Sequence, residues 1–131
     1  AAGVKPSIVS FNSSIDACGK ARQLRSAFEL FEQLGEAGLS PDTVTYTSLI
    51  DACGKAQQLD RAFSLLDEMR MKNVVPNSFT FNSLVDGCAK AADVDRAFQV
   101  LAEMIEHGIT PNTTTYTSLI DACGKSQDLE R

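Results

Sequence analysis

Cysteine stands at positions 18, 53, 88 and 123. An aspartate is followed four residues later by a lysine at 16/20, 51/55, 86/90 and 121/125, and the only histidine is His107. Thiols, carboxylates and imidazole are the usual ligands of zinc, and paired thiols form disulfides. Neither chemistry suits this spacing. The cysteines occupy equivalent places at a constant interval, which in a stack of helices sets them roughly 10 Å apart. They read as buried, reduced core thiols, with no metal and no cofactor. His107 lies away from every repeated polar position and reads as a surface residue. No Ser/His/acid set, glycine-rich phosphate loop or pair of catalytic carboxylates can be assembled, so the chain reads as not an enzyme. The Asp–Lys pairs keep two readings open. They are solvated helix pairs worth about 0.3–0.5 kcal/mol each, or their lysines form a phosphate-binding row.

The elements that position these residues follow from one period. Pro6, Pro41, Pro76 and Pro111 share the 35-residue interval of the cysteines, without insertion. The units run 8–42, 43–77, 78–112 and, in part, from 113. The last residue, Arg131, aligns with Arg61 and Arg96 early in a helix, which suggests a fragment of a longer array. Within a unit, Tyr46, Leu49, Ile50 and Cys53 fall at i, i+3, i+4 and i+7, the spacing of an amphipathic helix A. After Gly54 and a short polar turn, Leu59, Ala62, Phe63, Leu66 and Met69 repeat that pattern as helix B, as do Val94, Ala97, Phe98, Leu101 and Met104. Gly38 and Gly108 close helix B, with Asn73 in the same place, and a proline three residues later prevents continuation. One hairpin is too small to bury its own apolar face, so neighbours must stack. The expected fold is all-α: an α-solenoid of antiparallel helical hairpins, three complete repeats and a partial fourth.

The polar face of helix A carries the functional signal. At about 100° per residue, Val44, Thr47, Asp51 and Lys55 fall within about 80° of one another, opposite the apolar stripe. Val9, Asn12, Asp16 and Lys20 take the same places, as do Phe79, Asn82, Asp86 and Lys90, then Thr114, Thr117, Asp121 and Lys125. Stacking turns these stripes into one surface with an apolar residue, a short polar side chain and a lysine per unit. Most of the acids of helix B (Glu29, Glu32, Glu36, Asp67, Glu68, Glu103, Glu106) fall elsewhere. A chain with 17 acidic and 12 basic residues, net charge −5, can therefore still present a local positive row. Single-stranded nucleic acid fits such a surface. The cation meets a phosphate, the apolar residue lies against a base, and the polar side chain reaches the base edge. At 44% hydrophobic and 22% charged residues the chain reads as one ordered soluble domain. No apolar run suffices for a membrane span, and the first residues carry no targeting pattern.

The 35-residue period, the stretch VTYTSLIDACGKAQQLDRAFSLLDEM from Val44 to Met69 and the closing VVPN resemble pentatricopeptide repeats of the standard 35-residue type, across nearly the whole chain. That resemblance implies a right-handed superhelix that binds single-stranded RNA, one nucleotide per repeat, in parallel orientation. The base would be chosen by the fifth and last residues of a repeat. Asn12 with Asp42 implies uracil, Thr47 with Asn77 adenine, and Asn82 with Asn112 cytosine, then uracil; Thr117 alone implies a purine. Val9, Val44, Phe79 and Thr114 would sandwich the bases, with Thr114 departing from the usual apolar choice. Lys20, Lys55, Lys90 and Lys125 match a position facing the phosphates. The resemblance also implies a mitochondrial or plastid home and a role in RNA processing, stability, editing or translation; no membrane partner and no small-molecule substrate are expected.

Two alternatives stand beside this reading. One is a protein-binding scaffold of the tetratricopeptide kind, which uses 34 residues and a tryptophan that this chain lacks. The other is the recognition arm of an enzyme whose catalytic domain lies elsewhere. The partial fourth unit is expected to expose Tyr116, Leu119, Ile120 and Cys123, and so to fray or to self-associate.

Overall fold

The structure is a computed structural model that describes residues 7–126, with the backbone alone at Ser126. Pro6 and Arg131, used above to set the period, lie outside the described residues. Seven helices follow one another: α1 (Ile8–Lys20), α2 (Leu24–Glu36), α3 (Thr43–Lys55), α4 (Leu59–Met71), α5 (Ser78–Lys90), α6 (Val94–Glu106) and α7 (Thr113–Ser126). No strand occurs among the described residues. The fold is an all-α helical repeat. Helices α1 and α2, α3 and α4, and α5 and α6 pair as hairpins, while α1, α3, α5 and α7 stack in order on one another.

Residue type dictates where each helix begins and ends. Ser7, Asp42 and Asn77 sit in extended backbone ahead of α1, α3 and α5, and their side chains accept the N–H of the third helical residue. At Asp42 and Asn77 a threonine returns the bond to the cap's own N–H, completing a capping box. Helices α2, α4 and α6 end at Gly38, Asn73 and Gly108, all at positive φ (82°, 60° and 77°). The turns after Gly54 and its equivalents hold a feature the residue types conceal. Arg22, Gln57 and Ala92 also adopt left-handed φ, of 61°, 59° and 55°. There Gln23, Gln58 and Asp93 N–H bond back to the carbonyls of Cys18, Cys53 and Cys88 at 2.8–2.9 Å. This is the Schellman closure that glycine usually provides.

Gly54 itself does not end a helix. It lies inside α3, where a β-carbon would stand 3.3 Å from the Cα of Gly87 in α5. Gly19 in α1 meets Ala52 of α3 in the same way. Small residues at these crossings let the backbones of the stacked helices approach closely. The backbones of helices α2, α4 and α6 stand further apart, and these helices meet through long side chains. Arg61 lies 4.0 Å from the centre of the Phe28 ring, Arg96 lies 5.0 Å from that of Phe63, and Arg70 pairs with Glu103. One layer is thus tightly stacked and the other spread, the arrangement that curves a solenoid.

Between the layers lies a continuous core that includes Ile15, Tyr46, Leu49, Ile50, Phe81 and Met104, none measurably exposed. Cys53 and Cys88 are buried in it, whereas Cys18 and Cys123 are half-buried. At the far end, Tyr116 and Ile120 of α7 are exposed, at 50% and 72%. Leu119, expected to be uncovered with them, is buried because α7 packs against both α5 and α6.

Candidate nucleic-acid interface

The residues picked out on helix A converge on the face of the tight layer. A cleft of about 440 Å³ between α1 and α3 is lined by Val9, Asn12, Asp16, Lys20, Asp42 and Val44, with Phe79 of α5 also on its wall. Val9, Val44 and Phe79 are 68%, 54% and 63% exposed, unusually open for apolar side chains. Thr114 is exposed in the equivalent place.

Beneath this rim the short polar residues are held in hydrogen-bonded sets that span adjacent hairpins. The Asn12 amide donates to Asp42 Oδ1 at 3.1 Å, while its oxygen accepts the Thr45 hydroxyl at 2.6 Å. Thr47 lies 2.7 Å, oxygen to oxygen, from Thr80. The Asn82 oxygen accepts the Thr115 hydroxyl at 2.5 Å. Asn12 and Thr47 are buried, Asn82 is half-buried and Thr117 is exposed. At 2% exposure, Thr47 is reachable only if neighbouring side chains turn aside.

Asp42, Asn77 and Asn112 serve two purposes at once. Each accepts the backbone N–H of the threonine three residues on, at 3.0 Å, as a helix cap. Asp42 also bonds directly to Asn12 of the hairpin before it, while Asn77 and Asn112 are linked to Thr47 and Asn82 through the hydroxyls of Thr80 and Thr115. Burial works against ionisation of Asp42, but hydrogen bonds from Thr45 and Asn12 outweigh it and hold the carboxyl below its ordinary range. Asp42 is therefore a carboxylate at neutral pH and can only accept.

The lysines do not stand alone. Lys20 and Lys125 pair with Asp16 and Asp121 at 2.7 and 3.2 Å, and Lys55 and Lys90 pair with Asp51 and Asp86. The hydrogen bond to Asp16 raises the pKa of Lys20 further, so the side chain is an ammonium at neutral pH. Each cation thus has an acid at its side, Lys20 with Asp16 on the wall of the cleft itself, and the stripe is a row of ion pairs rather than of bare charges.

Reading the sequence by hydrophobic period missed Thr45, Thr80 and Thr115. Their signal was present as Asp42-x-x-Thr45, Asn77-x-x-Thr80 and Asn112-x-x-Thr115, a capping box with threonine in place of the usual Glu or Gln. Among the described residues no group of His, Cys, Asp or Glu is placed to hold a metal ion, and no helix is long and apolar enough to cross a membrane.

Stacked helical hairpins with one repeated polar set per hairpin define a helical-repeat protein. The model of the PPR repeat family matches residues 6–55, 41–90 and 81–125. The chain belongs to that family. It is similar in structure to the pentatricopeptide repeat protein PPR10 from maize, with a TM-score of 0.88 and 29% identity over 98% of this chain. PPR10 in complex with an 18-nt psaJ RNA element matches 96% of the chain with a TM-score of 0.85. In both comparisons the chain spans only 18% of the PPR10 chain. The PPR domain of Arabidopsis thaliana protein-only RNase P 1, solved in complex with tRNA, shares the fold. Its TM-score is 0.80 and its identity 20%, over 98% of this chain and 68% of that one. No curated protein matches the sequence.

Proposed function

We propose that the chain binds single-stranded RNA, one nucleotide per repeat, with repeats 8–42, 43–77, 78–112 and from 113 reading 5′-U-A-C(or U)-purine-3′. The observation that carries this reading is the bond between Asn12 and Asp42. It joins two side chains 30 residues apart at the floor of a cleft with an apolar rim and a lysine at its edge. PPR10 and the RNase P repeats, solved with RNA, support the choice of ligand.

The caps give the base assignments a physical basis. Asn77 and Asn112 spend their side-chain oxygens on the N–H groups of Thr80 and Thr115, so each turns its amide NH₂ outward as a donor. A donor suits the unprotonated ring nitrogens of adenine (N1) and cytosine (N3). Asp42 offers only acceptors and suits the N3–H of uracil. Asn12 and Asn82 are longer than Thr47 and leave room for a pyrimidine, whereas the shorter Thr47 and Thr117 admit a purine. Val9, Val44, Phe79 and Thr114 flank the bases, and Lys20, Lys55, Lys90 and Lys125 face the phosphates. Family resemblance supports an organellar role in RNA processing, stability, editing or translation. The exposed Tyr116 and Ile120, beside Phe98 and Leu101 in an apolar groove, support self-association at that end.

Titration with the matched RNA, a scrambled RNA and a purine-swapped RNA tests the reading. Tightest binding to the matched sequence is expected, and equal affinity for all three rules out base reading. Asn82→Thr moves the third-base preference from pyrimidine toward purine.

A further inference from the structure

We propose that Thr80, and with it Thr45 and Thr115, is a positioning residue that fixes which base edge the preceding repeat presents. The inference rests on the one-nucleotide-per-repeat reading above. It places a determinant of specificity across the boundary between hairpins, in a residue that belongs to the next unit.

The Thr80 hydroxyl has three polar neighbours. The backbone N–H of Asn77 donates to it at 3.1 Å, Asn77 Oδ1 lies at 3.0 Å and Thr47 Oγ1 at 2.7 Å. A hydroxyl has one proton and two lone pairs. Asn77 Oδ1 is held by the Thr80 N–H as an acceptor, so it can only receive the Thr80 proton. The two lone pairs then take the Asn77 N–H and the Thr47 proton. All three contacts are satisfied only in this arrangement. Thr47 therefore points its own proton at Thr80 and keeps its remaining lone pair as an acceptor, beside the outward NH₂ of Asn77, for a base that enters once the neighbouring side chains turn aside. An acceptor next to a donor complements the amino group and N1 of adenine. It opposes the carbonyl and N1–H of guanine.

In the flanking repeats the same hydroxyl works in the other direction. Asn12 Oδ1 lies 2.6 Å from Thr45 and Asn82 Oδ1 lies 2.5 Å from Thr115. An amide oxygen only accepts, so the threonine shares its one proton between that oxygen and the cap oxygen, Asp42 Oδ1 at 2.9 Å or Asn112 Oδ1 at 3.0 Å, and favours this amide orientation. The Asn82 NH₂ group and the second N–H of Asn12, whose first goes to Asp42 Oδ1, are left as donors for the ring carbonyl of a pyrimidine. Without the hydroxyl, Thr47 rotates and the Asn82 amide flips, so these slots lose the polarity that distinguishes one base from another, whereas Asn12 is held as well by its bond to Asp42 Oδ1.

The test is a set of binding titrations with RNAs that differ at one nucleotide, using wild type, Thr80→Val and Thr80→Ser. In Thr80→Val the preference for adenine over guanine at the second nucleotide is expected to fall by about tenfold, the value of one lost hydrogen bond. Preferences at the first and third nucleotides stay as in wild type, and Thr80→Ser keeps the wild-type ratio. A general weakening caused by the altered cap lowers affinity for every RNA alike and leaves the ratio unmoved. An unchanged adenine-to-guanine ratio in Thr80→Val, in a protein whose wild type prefers adenine, overturns the positioning role. A wild type without any second-base preference overturns base reading itself, and the positioning role with it. If Thr80→Val does not fold, Thr115→Val is measured instead at the third nucleotide. Loss of its cytosine-over-adenine preference supports the role, and retention overturns it.

Discussion

A β-carbon on Gly19 would stand 2.9 Å from the β-carbon of Ala52, closer than two such atoms can sit. This single crossing fixes how near α1 lies to α3. Gly19→Ala is expected to destabilise the fold by about 1–2 kcal/mol, because overpacking outweighs alanine's better helix propensity. The Ala52→Gly change in the same chain restores part of that loss. Urea unfolding of the two single variants and the double variant measures the coupling, and additive effects would show that the helices separate freely.

Ala92 holds a left-handed φ of 55° that an L-residue adopts only at a cost. Ala92→Gly is expected to stabilise the protein by about 0.5–1 kcal/mol, since relief of that strain exceeds glycine's entropic penalty. The readout is a higher urea midpoint at unchanged slope. A lower midpoint would mean that the Ala92 methyl group packs to advantage.

The ion pair between Lys55 and Asp51 offers a test of the proposed phosphate contact. Lys55→Gln is expected to flatten the dependence of log K on log salt by about 0.7, one phosphate on a single strand. Asp51→Asn uncovers the same ammonium and should raise affinity several-fold at low salt. If both variants bind with wild-type affinity and slope, the pair belongs to the helix surface alone.

Alkaline pH should loosen the core. Burial pushes the Cys53 thiol up to about 11 and the Cys88 thiol up to about 12. Burial, with the hydrogen bond that Tyr46 donates to Glu68 at 2.8 Å, raises the Tyr46 phenol as well. In the unfolded chain the thiols ionise near 8.5 and the phenol near 10. Above pH 8.5 the unfolded state therefore binds fewer protons than the folded one, and stability declines as pH rises. Urea midpoints should hold steady below pH 8 and fall between pH 9 and 11, with a shallower fall in Cys88→Ala. An identical fall in that variant would exclude the Cys88 thiol as a source.

Much of the fold could be read from residue types. Gly38, Gly108 and Asn73 mark helix ends because their backbone freedom is needed there, and the 35-residue interval aligns the rest. Arg22, Gln57 and Ala92 gave no such signal, since nothing in their chemistry favours left-handed backbone. Gly19 and Gly54 were ambiguous for a related reason. A glycine in a sequence does not say whether it ends a helix or lets another helix approach. In the candidate site, the stripe holding Asn12, Thr47 and Asn82 followed from the helical angle alone. Their partnership with Thr45, Thr80 and Thr115 depends on distances across 33 positions, which no pattern within one helix reveals. The pairing of each lysine with its aspartate was visible as an i, i+4 spacing, and the structure shows that all four pairs form.

Thr80 meets a hydroxyl where Thr45 and Thr115 meet amides, and the same side chain serves all three. Because one oxygen both gives and receives a proton, an Asn-to-Thr exchange in one hairpin demands no matching change in its neighbour. Each hairpin can thus change its polar residue independently, as movable type is exchanged, without passing through a misfitted intermediate.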